Sequence, residues 1–281
     1  MDAILLCAPL ATPRPIGQAS WRPTRRKSLG WASGRHALIT GGGTGIGGAA
    51  ARILAAEGAR ISLIGRRPEP LEAVAAETGG TAVPCDLTDR TAMETAFAKA
   101  RDANGPFDYV ILNAGVGDSA PFVRTSREAF DRIIAINLTA VFDGAQLALP
   151  DLLEGDGKRL IVIASVAGLK GAAYAAPYVA SKHGVVGLVK SLALEFAKTN
   201  LTVNAICPSF VDTPMVDETA KRITRVTKRD LDQSREALAA LNASGRLVTA
   251  GEVASSILNL CHPLSRSING ALVTIDGGST A

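Results

Sequence analysis

Thr40-Gly41-Gly42-Gly43-Thr44-Gly45-Ile46-Gly47 decides how this chain folds. Before it lies the apolar run His36-Ala37-Leu38-Ile39-Thr40, short enough for a buried strand. After it, residues 46–57 carry apolar side chains at helical spacing and stop at Gly58. A strand that turns through glycines into a helix leaves unpaired N–H groups, with partial positive charge, at the helix start. Glycine has no Cβ, so an anionic group can approach that backbone closely. The pattern predicts a pyrophosphate-binding turn drawn from Gly41, Thr44, Gly45, Ile46 and Gly47. A plain glycine-rich loop is the alternative, and the strand and helix on either side argue against it.

The alternation continues. Strand-like runs fall at residues 60–64, 81–84, 107–112, 159–164, 201–206 and 271–275, with helix-like stretches at 68–77, 88–103, 126–153, 175–198 and 251–261. Strands separated by helices connect by right-handed crossovers and lie parallel, covered on both faces. The prediction is an α/β fold, a Rossmann-like doubly wound parallel sheet of about seven strands, in a single domain at residues 36–281. Ligands of such sheets bind beyond the carboxyl ends of the strands. Residues 214–245 break the alternation with a polar, helix-prone stretch, expected to be a substrate lid.

Composition agrees. Of 281 residues, 47% are hydrophobic and 4% aromatic, which suits an aliphatic core with close backbone contacts. The net charge of +4 is local: Arg14, Arg22, Arg25, Arg26, Lys27 and Arg35 face only Asp2 in the first 36 residues, and the remainder is nearly neutral. That argues against a broad nucleic-acid-binding face. Cys7, Cys85, Cys207 and Cys261 lie far apart, and His36, His183 and His262 do not cluster with them. Neither a metal site nor a disulfide framework is expected, and reduced thiols fit a cytoplasmic protein. No apolar run reaches the ~20 residues that cross a bilayer, so no membrane is expected. Near the start, residues 4–10 are apolar but follow Asp2, unlike a signal peptide. The Arg and Ser content of the tail resembles a transit peptide, yet Pro9, Pro13, Pro15 and Pro23 break the helix one would need. A disordered extension at residues 1–35, or an over-long gene start, is the expectation.

Two further features carry chemistry. The second strand ends Leu63-Ile64-Gly65-Arg66-Arg67, with no acid to bind a ribose diol. Arg66 is placed to hold a 2′-phosphate by charge-assisted hydrogen bonds, unless it is simply a solvated surface charge. NADP(H) is favoured on this ground, with NAD(H) the second candidate. Tyr178 and Lys182 stand i, i+4 on a predicted helix, so phenol and ammonium share a face. A nearby positive charge favours phenolate, which ordinarily forms near pH ~10. The pair can therefore move a proton to or from an alcohol oxygen.

Thr40-Gly41-x-x-x-Gly45-x-Gly47, Asn113-Ala114-Gly115, Asn137, Ser165, Tyr178-x-x-x-Lys182 and the stretch from Pro208 to Thr213 together resemble the short-chain dehydrogenase/reductase family, compact single-domain type. The resemblance covers residues 36–281. It implies that Tyr178 is general acid in reduction and general base in oxidation, and that Ser165 hydrogen-bonds the substrate oxygen. Lys182 would lower the Tyr178 pKa and bind the nicotinamide ribose. Asn137 would kink its helix and hold a water linking Lys182 to solvent. Asp86 and the Leu87 backbone would contact adenine, Asn113-Ala114-Gly115 would run along the cofactor, and Pro208, Val211 and Thr213 would lie near the carboxamide. The family usually has glycine where this chain has Ser209, and a serine held at positive φ would alter that loop. His183 is expected to be structural. The resemblance further implies a homo-oligomer, tetramer or dimer, packed through the helices at 126–153 and 175–198.

The expected activity is hydride transfer between a nicotinamide cofactor and a small-molecule carbonyl or secondary alcohol. Lid cations Lys221, Arg222, Arg225, Lys228, Arg229 and Arg235 would suit the phosphates of a 3-oxoacyl or 3-hydroxyacyl thioester, although a solvated helix face explains them too. Steroids, sugars and polyols stay open as substrates. The rival reading of the whole chain is a catalytically silent dinucleotide sensor; such proteins typically lack the tyrosine or lysine kept here.

Overall fold

The computed structural model describes residues 30–281. The extension expected at the start lies outside them up to residue 29. Ordered packing begins before His36: the Trp31 ring meets Tyr109 and His262, and the Ala32 N–H donates to the Glu57 carbonyl.

The elements run β1 (His36–Thr40), α1 (Gly45–Ala56), β2 (Arg60–Gly65), α2 (Pro68–Thr78), β3 (Thr81–Pro84), α3 (Arg90–Asn104), β4 (Tyr109–Leu112), α4 (Arg127–Ile134), α5 (Ala140–Leu152), β5 (Lys158–Ile163), α6 (Ala176–Glu195) and β6 (Leu201–Pro208). After these come β7 (Val211–Asp212), α7 (Pro214–Val226), α8 (Leu231–Ala239), β8 (Val248–Thr249), α9 (Ala250–Cys261) and β9 (Leu272–Ile275). Seven strands form one parallel sheet in the order β3-β2-β1-β4-β5-β6-β9. Alternation within each strand feeds two cores. Val110, Leu112, Leu160, Val162 and Val203 share a cluster with Phe97, Ala145, Val185 and Val189 of α3, α5 and α6. Tyr109, Ile111, Ile161 and Ile206 share the other with Leu54, Val74 and Ile257 of α1, α2 and α9. The chain runs outward from β1 to β3 and returns to β4 on the other side of β1. Connections therefore diverge beyond Thr40 and Leu112, which opens a crevice at the carboxyl ends of the strands.

The long helix expected at 126–153 is interrupted. Between α4 and α5 the backbone makes a π-helical turn at Ala135–Thr139, centred on the fully buried Asn137. By length and composition Arg127–Leu152 could cross a membrane. One face of it packs into the fold, burying Ile133, Ala140, Val141, Ala145, Ala148 and Leu152, while Phe130 and Phe142 stay exposed. The stretch read as a lid forms α7 and α8, which share a small apolar core of Val216, Ala220 and Leu238. Its two ends are pinned together by the parallel pairing of β7 with β8.

Candidate active site

Helix α6 presents Tyr178 and Lys182 on one face, the Lys182 Nζ 5.8 Å from the Tyr178 ring centroid. Lys182 is buried, and its Nζ donates to the Ile163 carbonyl at the end of β5, 2.8 Å away. Two residues further on, Ser165 is buried too; its Oγ accepts from the Ala167 N–H at 3.1 Å and donates to the Pro208 carbonyl at 3.4 Å. Asn137 closes the group. Its Oδ1 accepts from the Val116 N–H at 2.8 Å, and its Nδ2 donates to the Val116 carbonyl at 2.9 Å and the Ser181 Oγ at 3.2 Å. The Ser181 hydroxyl donates in turn to the Tyr178 carbonyl at 2.7 Å. Gly115 lies close to the group: a Cβ on it would stand 3.2 Å from Asn137 Oδ1 and 3.7 Å from Lys182 Nζ. Four residues from three elements thus converge at the crevice.

Burial raises the Tyr178 pKa above the ordinary tyrosine value, and a hydrogen bond with Ser165 pulls the other way. Burial also lowers Lys182 to about 8. In this structure the Lys182 ammonium donates to a backbone carbonyl, and burial of the phenol outweighs the Ser165 hydrogen bond. At neutral pH the phenol carries its proton and the amine is mostly cationic. That is the state required to deliver a proton to an oxygen gaining negative charge.

The glycine turn sits beside this group. Gly41 and Gly45 have φ of 65° and 53°, conformations that side chains resist. A Cβ on Gly45 would lie 3.0 Å from the Thr213 side chain, and one on Gly41 would lie 2.8 Å from Asn113 Nδ2. Gly47 packs against the Gly41 carbonyl and Asn113. Thr44 is the N-cap of α1 but makes no side-chain cap, and no acid lies in the first turn. The leading N–H groups of α1, Ile46 among them, are therefore left for an external anion. These close-packed glycines and uncapped amides fit a pyrophosphate.

Spacing gave no sign of Thr40's part. Its buried Oγ1 accepts from the N–H of Asn113 at 3.0 Å and of Ala114 at 3.1 Å, while Asn113 Nδ2 donates to the Thr40 carbonyl at 2.9 Å. This bolts β4 to β1 at the point where the strand order reverses. Val116 and Ser181, partners of Asn137, were likewise invisible to the motifs.

At the other end of the turn, Arg66 is exposed just past β2 and makes no ion pair among the described residues. Asp86 turns its Oδ1 to the Thr88 N–H and hydroxyl; these bonds hold its carboxyl below the usual value, and the Arg66 charge adds to the effect. The neighbouring Leu87 is buried.

The Pro208-to-Thr213 segment corrects one expectation. Ser209 does not have positive φ; among the described residues only Tyr174 does so without being glycine. The Ser209 hydroxyl donates to Asn242 Oδ1 at 2.5 Å, and Asn242 Nδ2 donates to the Phe210 and Arg246 carbonyls. The serine therefore ties this loop to the chain beyond α8. Val211 is buried in β7, and Thr213, at the N-cap position of α7 beside Gly45, donates its hydroxyl to the Val211 carbonyl at 3.2 Å. In the lid, Arg235 is paired with Asp212 and Asp217, and Arg222 with Asp118 and the Gly117 carbonyl. Lys221, Arg225, Lys228 and Arg229 make no ion pair among the described residues. His183 is exposed, with Nδ1 bonded to its own helix at Val179, away from the crevice.

A glycine turn at the switch point of a doubly wound parallel sheet, with a phenol, an ammonium and a hydroxyl gathered beside it, defines a dinucleotide-dependent oxidoreductase. The family model described as short chain dehydrogenase matches residues 35–224. The chain is 36% identical to D-beta-hydroxybutyrate dehydrogenase of Cupriavidus necator, over 89% of this chain and 99% of that one. It is 35% identical to the 3-oxoacyl-(acyl-carrier-protein) reductase MabA of Mycobacterium tuberculosis, over 87% and 92%. Among solved structures it resembles an actinorhodin polyketide ketoreductase with NADPH, at a TM-score of 0.84 and 32% identity over 87% of this chain and 97% of that one. Levodione reductase gives 0.83 and 34% over 89% and 99%. The chain belongs to the short-chain dehydrogenase/reductase family, and it is an NAD(P)-dependent oxidoreductase of carbonyls and alcohols.

Proposed function

We propose that this protein is an NADP(H)-preferring reductase or dehydrogenase in which Tyr178 exchanges the proton, Ser165 holds the substrate oxygen, and Lys182 and Asn137 support them. When bound, the nicotinamide supplies or accepts the hydride. Gly41, Thr44, Gly45, Ile46 and Gly47 would hold its pyrophosphate, Asp86 and Leu87 the adenine, Asn113, Ala114 and Gly115 the middle, and Pro208, Val211 and Thr213 the carboxamide end. The observation that carries this reading is the convergence of Tyr178, Lys182 and Ser165 next to the glycine turn. Tyr178→Phe removes the proton and little volume. It should lower kcat by about 10²–10⁴-fold, the usual worth of a positioned acid or base, while NADPH still binds. Near-normal turnover would overturn the assignment.

The preference for NADP(H) rests on Arg66, exposed and without an ion pair beside the turn. A 3-oxoacyl or 3-hydroxyacyl thioester is the proposed substrate class. The four lid cations outside ion pairs support it, as do relatives named for hydroxybutyrate and 3-oxoacyl substrates. Acetoacetyl-CoA should outperform simple ketones in kcat/KM, and equal rates would remove the thioester. The domain is proposed to be single, with its lid at 214–245, and to work in the cytoplasm as a tetramer or dimer. Exposed Phe130, Phe142 and Leu194 on α4, α5 and α6 support association, which light scattering would test.

A further inference from the structure

Tyr174 is the one non-glycine residue with positive φ among the described residues, at 64°. Left-handed backbone is rare for a bulky aromatic, persists only where the surroundings enforce it, and recurs at ligand clamps. The enforcement is visible here. The Tyr174 carbonyl accepts from the Ala120 N–H at 2.8 Å, tying the loop before α6 to the loop after β4. Packing does not explain the arrangement, because the side chain is left 66% exposed. Instead Tyr174 lines a cavity of about 220 Å³. Pro177, next to Tyr178, lines it as well, with Ala120, Ala129 and Ile133. Whole small-molecule sites run to about 300–1,000 Å³, so this cavity suits one part of a substrate. Its polar lining is Asp118, which Arg132 and Arg222 pair, together with Ser119, Arg124, Thr125 and Ser126.

We infer that Tyr174 is a specificity-determining residue: its ring is the wall for the part of the substrate beyond the reacting carbonyl, and it sets how well a longer chain is held there. This rests on the reading of Tyr178 as the proton-exchanging group. The probes are methyl 3-oxobutanoate and methyl 3-oxooctanoate, reduced with NADPH by the full chain. Tyr174→Gly removes the ring and relieves the backbone; Tyr174→Phe keeps the ring. In Tyr174→Gly, kcat/KM for the longer ester should fall about tenfold, in the range by which apolar pockets discriminate chain length, with the shorter ester nearly unchanged. Its Tm should hold or rise, because glycine accepts the left-handed conformation freely. Tyr174→Phe should match the wild type. Should the glycine variant fold poorly, Tyr174→Asn, which tolerates the same backbone, repeats the comparison. An unchanged ratio of the two esters in a folded variant, or a large fall in Tm showing that the ring is structural, overturns the inference alone. A wild type that reduces neither ester overturns this inference, and one that also fails to reduce acetoacetyl-CoA brings down the underlying reading with it.

Discussion

Replacing Thr40 with valine keeps shape, strand preference and most of the volume, and removes one oxygen. That oxygen accepts from two backbone donors, Asn113 N–H at 3.0 Å and Ala114 N–H at 3.1 Å, at a residue only 3% exposed. A net hydrogen bond is worth about 1 kcal/mol, and a buried donor left unpaired costs about 1–3 kcal/mol. Asn113 and Ala114 are half-buried, so water reaches them in part and the lower end applies to each. The sum is about 2 kcal/mol. Urea unfolding should show a lower midpoint with an unchanged slope, since the same surface is exposed in both proteins. The KM for NADPH should rise several-fold as the strip from Asn113 to Gly115 loosens. Thr40→Ser, which keeps the acceptor, should recover most of both losses. A shift below about 0.5 kcal/mol, within the range of ordinary surface changes, would refute the idea that this hydroxyl holds β4 to β1.

Arg66→Ala should cut kcat/KM with NADPH by about 10–100-fold, from the loss of one or two charge-assisted bonds, and leave NADH nearly untouched; equal losses with both cofactors would exclude phosphate recognition. Lys182 has a folded pKa of about 8, below the ordinary lysine value of 10.5, so its cation is present at neutral pH and lost as pH rises through about 8. Reduction rates measured across that window should fall with it, and a flat profile well above it would exclude a need for the charge. The same group makes stability rise with pH between about 8 and 10.5, where the unfolded chain holds the extra proton. Arg222→Gln releases α7 from Asp118 and the Gly117 carbonyl. Because partly exposed pairs contribute about 0–1 kcal/mol, Tm should barely move, while amide exchange in α7 quickens and KM rises a few-fold. Unaltered exchange would show that the pair does not hold the lid.

Most of the sheet is legible from one strand at a time, because parallel strands are buried on both faces and read as short apolar runs between helical periods. The break at Asn137 is legible only through the family resemblance, which implied a kink there, and not from spacing. Residues 135–139 keep the spacing of an α-helix, and a π turn adds a residue without changing composition. The departure at Ser209 was visible as a letter but not as a conformation. Its hydroxyl finds a partner in Asn242, 33 residues away, which no local pattern shows. The catalytic group shows the same split. The i, i+4 spacing brings Tyr178 and Lys182 to one face of α6, but the carbonyl that accepts the lysine hydrogen bond belongs to β5.

The linear order of residues was enough to set the strand–helix alternation, the glycine turn and the pairing of phenol with amine, since each follows from sterics and periodicity within a few residues. Folding in three dimensions settled where Lys182 directs its hydrogen bond, which way burial moves Tyr178, how Thr40 clamps the switch point, and why Tyr174 stands in a strained loop. Those depend on partners distant in the chain and on the exclusion of water, quantities that exist only once the layers have packed.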